Sequence, residues 1–406
     1  MEESINLFED NDYKKEIVKV CSLTKSATPL ESSVALDSFT RKATDCFDFD
    51  FDGINRFYPY EMNNTIKNLD FEILVITGAS GKGKSLFSKY FGKEEDLFWD
   101  KDKAIISHFD SEDDAVEKLG AVGLNSIPTW CKPRQVLSVG EGFRADLARR
   151  IKDNCVIDEF TSTVDRNVAL SCSKSIGNYI RRKHLKRCVF VSCHKDFIDT
   201  LCPDFVIDLD DECLYDTRGL VQRKFELQIY EQSNKKDIWN IFKQHHYLSS
   251  EFNPASRVFT AYLNDTLVAM CAILPQPGVP GIKYPGWRVH RLVVLPDYQG
   301  LGIATKFLEC ICDLYAYHER IIYIRTSHVK LIKYFTRSDK WSGEGKLIHS
   351  HQDTGLLAGR KINEVRLSTS FKYVAPCQNV PGRAYEYFKF NDIDKSEEKL
   401  LDNILF

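Results

Sequence analysis

The most specific chemical pattern in this 406-residue chain is a glycine-rich run, GASGKGKS, at residues 78–85. It fits GxxxxGK[ST] and lies between an apolar EILVIT and a helical LFSKYF, which is the context this motif needs. Glycines let backbone N–H groups turn toward phosphate oxygens, and a helix start adds positive potential. We expect Lys84 to reach the β and γ phosphates of ATP and Ser85 to hold Mg²⁺. The residues predicted to bind ATP in this loop are Gly78, Ser80, Gly81, Gly83, Lys84 and Ser85.

A second pattern, CVIDE at residues 155–159, is an apolar run that ends in two acids. We expect Asp158 to hold Mg²⁺ through water and Glu159 to orient and polarise the attacking water, as in a Walker B segment. Many strands end in acids at a loop. The pattern therefore gains its weight from the phosphate-binding loop in the same segment.

A third pattern lies in HRLVVLPDYQGLGIATKFLE, where a β-like run, a loop and a helix follow one another. Residues 299–304, QGLGIA, fit [QR]xxGxG/A, and backbone amides at a helix start bind a pyrophosphate by the same anion logic as the first loop. The loop resembles motif A of the GNAT acetyltransferases, and this resemblance implies that the ligand is acetyl-CoA or another acyl-CoA. The residues predicted to contact it are Val293, Val294, Gln299, Gly300, Gly302, Ile303 and Ala304.

The elements around these patterns predict an α/β chain of two domains. The runs FEILVITG, NCVIDEF, CVFVSCH and DFVIDL alternate with helical stretches, which is typical of a largely parallel sheet. FELQIYEQ and a hairpin-like RVFTAYLNDTLVAMCAI, with its turn at Asn264-Asp265, open the second domain. We expect one domain at residues 1–215, with a strand-rich lobe at about 1–70, a linker at 216–224, a second domain at 225–376, and a charged C-terminal helix or tail at 377–406.

Composition restricts the function further. A formal charge of −3, from 55 Lys+Arg and 58 Asp+Glu, does not indicate a protein coated with basic charge. The 13 cysteines form no CxxC pair, so buried reduced thiols are expected instead of a disulfide framework or zinc ribbon. The chain has no long apolar run, and its start, MEESINLFED, is acidic. We expect a cytoplasmic protein without a membrane partner.

The first domain resembles the ABC-type ATPases. LSVGE, at residues 137–141, looks like their LSGGQ signature, and STVD, at 162–165, looks like their D-loop. His194, at the end of CVFVSCH, matches their switch histidine. The resemblance implies catalytic roles for Glu159 and His194, and a head-to-tail homodimer that sandwiches two ATPs. Ser138, Gly140 and Asp165 would then join the ATP contacts, although LSVGE could equally be a helix cap.

Two parts of the ABC pattern are open in this sequence. The stretch KAIISHFDSED contains no glutamine where the family places its Q-loop. The aromatic residue that stacks on adenine could be Phe51, Phe57 or Tyr58.

The second domain resembles the GNAT acetyltransferases, whose motif A the QGLGIA loop matches. The resemblance implies direct attack of an amine on the thioester, and Tyr334 lies near the place of the family's thiolate-protonating tyrosine. His245 and His246 lie on the predicted acceptor side, with Asp297 and His290 as weaker candidates for the base. The strings HHYLS, RLVVLPDYQGLGIA, RTSH, DKW and RLSTSFKYV resemble the bacterial and phage proteins that fuse an ABC-type ATPase to a predicted acetyltransferase.

These resemblances lead to three functional hypotheses. The first is an ATPase coupled to an acyltransferase that modifies a nucleic acid base, since Mom-type phage enzymes are GNAT relatives and RRKHLKR, at residues 181–187, could contact DNA or RNA phosphates. The second is an ATP-regulated acetyltransferase of a protein or a small amine. The third is an ABC clamp that carries a non-catalytic GNAT binding module.

Overall fold

The computed structural model describes residues 17–47, 49–246, 252–263, 265–275, 286–343, 348–350, 366–375 and 399–405. The chain divides into two compact units, residues 1–223 and 224–406. The strands of unit 1 are β1 Val18–Ser22, β2 Leu30–Ser33, β3 Ile54–Phe57, β4 Ile73–Thr77, β5 Val156–Ile157, β6 Cys188–Ser192, β7 Phe205–Asp208 and β8 Cys213–Asp216. Its α-helices are α1 Ser38–Cys46, α2 Asn64–Lys67, α3 Lys84–Ser88, α4 Glu112–Ala121, α5 Ile127–Trp130, α6 Val139–Arg150, α7 Arg166–Lys183 and α8 Ile198–Leu201.

The main sheet of unit 1 has the order β1-β8-β7-β4-β6-β5. Strands β7, β4, β6 and β5 are parallel, as the sequence predicts, and β8 and β1 add antiparallel pairs at one edge. All five residues of β4 are buried. Ile73 and Val75 join one hydrophobic cluster and Leu74 and Ile76 join another, so both faces of the sheet are covered. The predicted linker begins inside β8, which includes Asp216.

Unit 2 is built on a second sheet. Its strands are β9 Glu226–Gln232, β10 Arg257–Leu263, β11 Thr266–Pro275, β12 Trp287–Val294, β13 Ile322–Thr326, β14 Trp341–Ser342, β15 Ile348–Ser350, β16 Arg366–Tyr373 and β17 Lys399–Leu405. Its α-helices are α9 Lys235–Phe242, α10 Ile303–Tyr317 and α11 Val329–Arg337. The sheet order is β14-β16-β13-β12-β11-β10-β9-β17, and β15 pairs with β16. The predicted hairpin is confirmed as β10 and β11, with Asp265 in the left-handed region at φ 61°. Asn264 lies outside the described residues.

The C-terminal prediction is wrong in one respect. Residues 399–405 form strand β17, antiparallel to β9, instead of continuing a charged helix. The charged run before it favours a helix locally, but the edge of β9 offers unpaired backbone groups that a neighbouring strand satisfies. Tertiary pairing has therefore overridden local propensity.

Candidate active sites

The glycine-rich loop at residues 78–83 connects β4 to α3 in unit 1. Gly78, Gly81 and Gly83 have φ of 144°, 82° and 88°, which L residues adopt only with strain. The Nζ atom of Lys84 donates to the carbonyl oxygens of Gly78 at 2.8 Å and Ala79 at 2.9 Å, so the lysine folds back over the loop. Ser80, Gly81 and Ser85 are exposed. This is the loop shape that the sequence predicts for an anion cradle.

The three aromatic candidates upstream of this loop have different surroundings in the structure. A methyl group built on Gly83 would lie 2.6 Å from Cζ of Phe57, so the Phe57 ring covers the loop. The ring of Phe51 stacks instead on Phe49, with centroids 6.0 Å apart, and Tyr58 is 46% exposed. Phe57 is therefore the aromatic candidate that the structure places against the loop.

The acids and the histidine of the first site lie at the same sheet edge as the glycine-rich loop. Strand β6 lies between β4 and β5, and all three are parallel, so their carboxyl ends point the same way. Asp158 and Glu159 follow β5, and His194 follows β6. Glu159 has φ of 50°, and its N–H donates to Oδ1 of Asp158 at 2.8 Å. The topology therefore brings the predicted Mg²⁺, water-polarising and switch residues to one edge.

Glu94 is a residue of this site that sequence reasoning missed. Its Oε1 accepts from the N–H of Asp158 at 3.0 Å and lies 3.1 Å from a guanidinium nitrogen of Arg150. Burial raises the pKa of Glu94, although Arg150 and the Asp158 N–H act in the opposite direction. Its position in the acidic string KEED gives no signal of this contact. Glu94 holds the backbone of the Walker B segment in place.

The LSVGE segment forms the start of α6 as a capping box. The Ser138 hydroxyl accepts from the N–H of Glu141 at 3.3 Å, and the Glu141 carboxylate accepts from the N–H of Ser138 at 3.0 Å. The helix-cap interpretation is therefore confirmed, and it leaves Ser138 and Val139 exposed, with Val139 at 70%.

The predicted D-loop lies beside this helix start. A methyl group built on Gly140 would lie 3.9 Å from Cγ1 of Val164. Asp165 caps the following helix, α7, by accepting from the N–H of Asn167 at 2.8 Å. The signature and D-loop residues are thus neighbours within the unit.

The basic cluster at residues 181–187 is largely committed to ion pairs. Arg181 lies 2.9 Å from both Glu72 and Asp204. Glu117 pairs with Arg182 at 3.3 Å and Lys183 at 2.8 Å, and Lys186 lies 3.5 Å from Asp70. The acids offset the charge that made this cluster a candidate for contacting nucleic acid.

The loop predicted to hold acyl-CoA turns from β12 into α10. Gly300 and Gly302 have φ of 97° and 87°, and a methyl group on Gly302 would meet open space within 4 Å. Nε2 of Gln299 donates to the carbonyl oxygen of Val294 at 3.0 Å and holds the loop to the strand. The side chains of Val293 and Val294 are buried in two different hydrophobic clusters. Contacts from these valines to a ligand would therefore come from the main chain, as they would from Ile303 and Ala304 at the helix start.

Strand β12, which leads into this loop, pairs with β13 over only a short stretch. They are parallel, and their ladder consists of Trp287 opposite Ile322 and Arg288 opposite Tyr323. The later residues of both strands lie beyond this short ladder. His290 lies on β12 past the last pair, and His328 follows the end of β13.

The two histidines are buried in similar ways. Nε2 of His290 and Nδ1 of His328 have no hydrogen-bond partner in the part of the chain that the structure describes. Burial lowers the pKa of each to about 4, with help from Arg291 at His290 and from Lys330 at His328. Both imidazoles are therefore neutral near pH 7 and can accept a proton. Sequence reasoning missed His328, whose only signal was its position directly after a β-like run.

Of the two histidines predicted on the acceptor side, His246 lies beside Trp239 of α9. The His246 ring is 5.8 Å from that of Trp239, whose ring stacks on Phe252 at 5.7 Å. The Phe252 ring is 6.3 Å from that of His290, so the structure brings His246 and His290 to the same group. Burial lowers the pKa of His245, and the negative charge of Asp297 opposes the shift. Tyr247, the next residue of the HHYLS string, lies outside the described residues.

Tyr334 lies apart from this group, between α11 and α10. Its hydroxyl donates to Glu309, which is 4% exposed and also lies 3.0 Å from Nζ of Lys340. Burial and the contact with Glu309 raise the pKa of Tyr334. This geometry fits packing between the two helices, and a role in protonating the thiolate stays a prediction.

Comparison with known proteins identifies the second unit. Residues 220–338 match the model of the Acetyltransferase (GNAT) family, so this chain contains a GNAT acetyltransferase domain. No curated protein matches the chain. No described helix is long and apolar enough to cross a membrane.

Solved structures resemble the chain only distantly. The IAA acetyltransferase of Bacillus cereus is 10% identical, with a TM-score of 0.27, over 36% of this chain and 98% of its own. Arabidopsis thaliana Naa50 is 17% identical, with a TM-score of 0.28, over 37% and 99%. The bacterial ABC transporter cassette MJ0796 is 14% identical, with a TM-score of 0.30, over 42% and 91%.

Proposed function

We propose that this chain combines an ATP-binding and ATP-hydrolysing ABC-type ATPase with an acyl-CoA-dependent N-acyltransferase. The observation that carries the first half is the convergence of the glycine-rich loop, Asp158, Glu159 and His194 at one edge of a parallel sheet. The GNAT domain at residues 220–338 carries the second half.

In the ATP site, loop amides would hold the phosphates, and Lys84 would leave its carbonyl partners to reach the β and γ groups. Oxygen donors suit Mg²⁺, and the Ser85 hydroxyl and the Asp158 carboxylate are the donors this chain offers. When bound, the ion neutralises phosphate charge. Glu159 would orient the water, and His194 would contact the γ-phosphate. A second copy would supply Ser138 and Gly140, which fits their place at a helix start, where Ser138 is exposed.

In the transferase site, the loop from Gln299 to Ala304 would hold the pyrophosphate of acyl-CoA. An amine nitrogen attacks the thioester carbonyl carbon, so that a C–N bond forms and the C–S bond breaks. A neutral imidazole, His290 or His328, would take the amine proton, and the imidazolium so formed would return this proton to the departing thiolate to give free CoA. His245 and His246 would line the acceptor side.

The acceptor we propose is an amine. The basic cluster does not support a nucleic acid base as the acceptor, because the cations of this cluster pair with acids of the same chain. DNA, RNA and protein are therefore separate arms of one experiment.

The experiment is transfer of label from acetyl-CoA in the presence of ATP and Mg²⁺, with each acceptor offered separately. We expect label on one acceptor class. Gly302→Leu should abolish transfer and CoA binding by filling the open space over the loop. Gly302→Ala carries the same left-handed strain, so the difference between the two variants measures obstruction. CoA binding without transfer to any acceptor would instead favour a non-catalytic binding module.

A further inference from the structure

Three charged residues beside the glycine-rich loop form a network that the proposed chemistry does not use. Nζ of Lys195 lies 2.6 Å from Oδ2 of Asp208 and 3.5 Å from Oδ2 of Asp210. The Asp208 carboxylate is fully buried, and its Oδ1 accepts from the N–H of Asp210 at 2.9 Å. Lys195 directly follows His194. The network therefore starts at the predicted switch histidine.

The other end of this network reaches the glycine-rich loop. The N–H of Ala79 donates to both carboxylate oxygens of Asp210, at 2.9 and 3.1 Å. A methyl group on Gly78 would lie 3.1 Å from Cβ of Leu209, so the turn after β7 is packed directly against the loop. The carboxylate of Asp210 thus fixes the amide at the start of the loop.

The residue after Lys195 makes a second connection. Asp196 accepts from Nε of Arg166 at 2.8 Å, and Arg166 directly follows Asp165 of the predicted D-loop. The segment 194–196 is therefore linked on one side to the glycine-rich loop and on the other side to the D-loop.

We propose that Lys195 and Asp210 are positioning residues that couple the switch histidine to the glycine-rich loop, and that Arg166 and Asp196 extend this coupling to the D-loop. The inference rests on the proposed ATP site. A displacement of His194 toward a γ-phosphate moves Lys195, and through Asp210 it changes how the loop presents its amides.

The charges around Lys195 favour its protonated form. Burial acts to lower the pKa of Lys195, but the hydrogen bond to Asp208 and the charges of Asp208 and Asp210 raise it above its usual value. Lys195 therefore stays charged near pH 7. A buried carboxylate that loses its cation is costly, so Asp208 holds Lys195, and with it the 194–196 segment, in place.

The test measures binding of a fluorescent ATP analogue and the kcat and KM of ATP hydrolysis in the full chain. We expect Asp210→Ala to weaken binding about tenfold, since it removes a charge-assisted hydrogen bond to the loop. Asp210→Asn keeps an oxygen acceptor for the Ala79 N–H and should lose less. Asp70→Asn is the control, because the Asp70 side chain is 90% exposed and lies 3.5 Å from Lys186, so this variant should bind as the parent does.

Lys195 is tested by rescue. Lys195→Gln should lower kcat by more than it raises KM, and Lys195→Arg should recover most of kcat. Combined with Asp210→Asn, Lys195→Gln should add less than its separate effect, because the two residues act through one another. Thermal unfolding identifies any variant that fails to fold, in which case Asp210→Asn and Lys195→Arg carry the measurement.

Lys84→Ala separates failure of the coupling from failure of the ATP site. If Lys84→Ala loses ATP while Asp210→Ala and Lys195→Gln keep parental binding and kcat, the coupling is overturned and the ATP site stands. If the parent binds no more ATP than Lys84→Ala does, the proposed ATPase falls, and the coupling falls with it.

Discussion

Glu159 combines a strained backbone with an exposed carboxylate. Its φ of 50° is uncommon outside glycine, asparagine and aspartate, and its N–H is held by the side chain of Asp158. Strain of this kind persists where the surrounding structure fixes it, and it is concentrated at functional sites. Asp158 and Glu159 thus lie side by side at the end of β5, and we propose different roles for their carboxylates.

We predict that Glu159→Gln leaves ATP bound, traps the dimer and lowers hydrolysis by about 100-fold or more, because the amide cannot polarise the attacking water. Phosphate release and retained nucleotide are the measurements. Glu95→Gln is the control, since Glu95 pairs with Lys152 at the surface. Parental turnover in Glu159→Gln would remove the Walker B assignment.

His328 predicts how acid affects unit 2. Its pKa is about 4 in the folded chain against 6.5 for an ordinary histidine, so between these values the unfolded chain binds a proton that the folded chain does not. Stability therefore falls as the pH falls through this window. We expect the urea concentration at the unfolding midpoint to be lower at about pH 5 than at about pH 7.

The His328→Asn variant isolates this histidine, because it removes the titrating group. The drop should shrink in this variant, and the remainder reports His290 and other groups. An unchanged drop would show that His328 is not the source.

At the scale of a single element, we propose that Ser138 has two roles at the start of α6. The Ser138 hydroxyl caps the helix, and Ser138 is exposed, which agrees with the nucleotide contact across a dimer that we propose for it. We predict that Ser138→Ala costs about 1 kcal/mol of unfolding free energy. Ser138→Asn should restore the cap but not ATP turnover, because its side chain differs in length and donor geometry. Thermal unfolding and phosphate release measure the two effects. If Ser138→Asn recovers both stability and ATP turnover, Ser138 acts only as the helix cap.

The sequence predicts the strands of unit 1 well, because both faces of its sheet are covered. A strand such as β4 then has an uninterrupted apolar run, which marks it without any knowledge of its neighbours. The glycine-rich loops are equally local, since their conformation depends on residues that tolerate positive φ. In the structure, φ is positive at Gly81, Gly83 and Gly302.

Features that depend on distant partners could not be predicted. The ion pairs of the basic cluster join residues up to 116 positions apart, as with Lys186 and Asp70. Strand β17 exists because β9 has an open edge. The contact between Asp210 and Ala79 spans 131 positions, and an aspartate in a turn gives no sign of it.

For the whole molecule, the proposed ATP sandwich predicts association that depends on nucleotide. Val139 is 70% exposed beside Ser138, so Val139→Glu would place a charge where the partner's phosphates bind. We expect this variant to stay monomeric with ATP and to lose most hydrolysis.

Sedimentation of Glu159→Gln with and without the second substitution measures the effect. Phe39→Glu is the matched control, since Phe39 is 82% exposed on α1 of the same unit. A monomeric Glu159→Gln parent in saturating ATP would contradict the sandwich.

The pairing of β17 with β9 has a practical consequence for work on this protein. Shortening the chain before residue 399 removes the outer partner of β9, which keeps β10 on its other side, and leaves a row of main-chain donors and acceptors open to solvent. Such an edge recruits strands from other molecules. Truncated preparations should therefore self-associate for reasons unrelated to ATP, and purification tags are better placed where they do not disturb this closing strand.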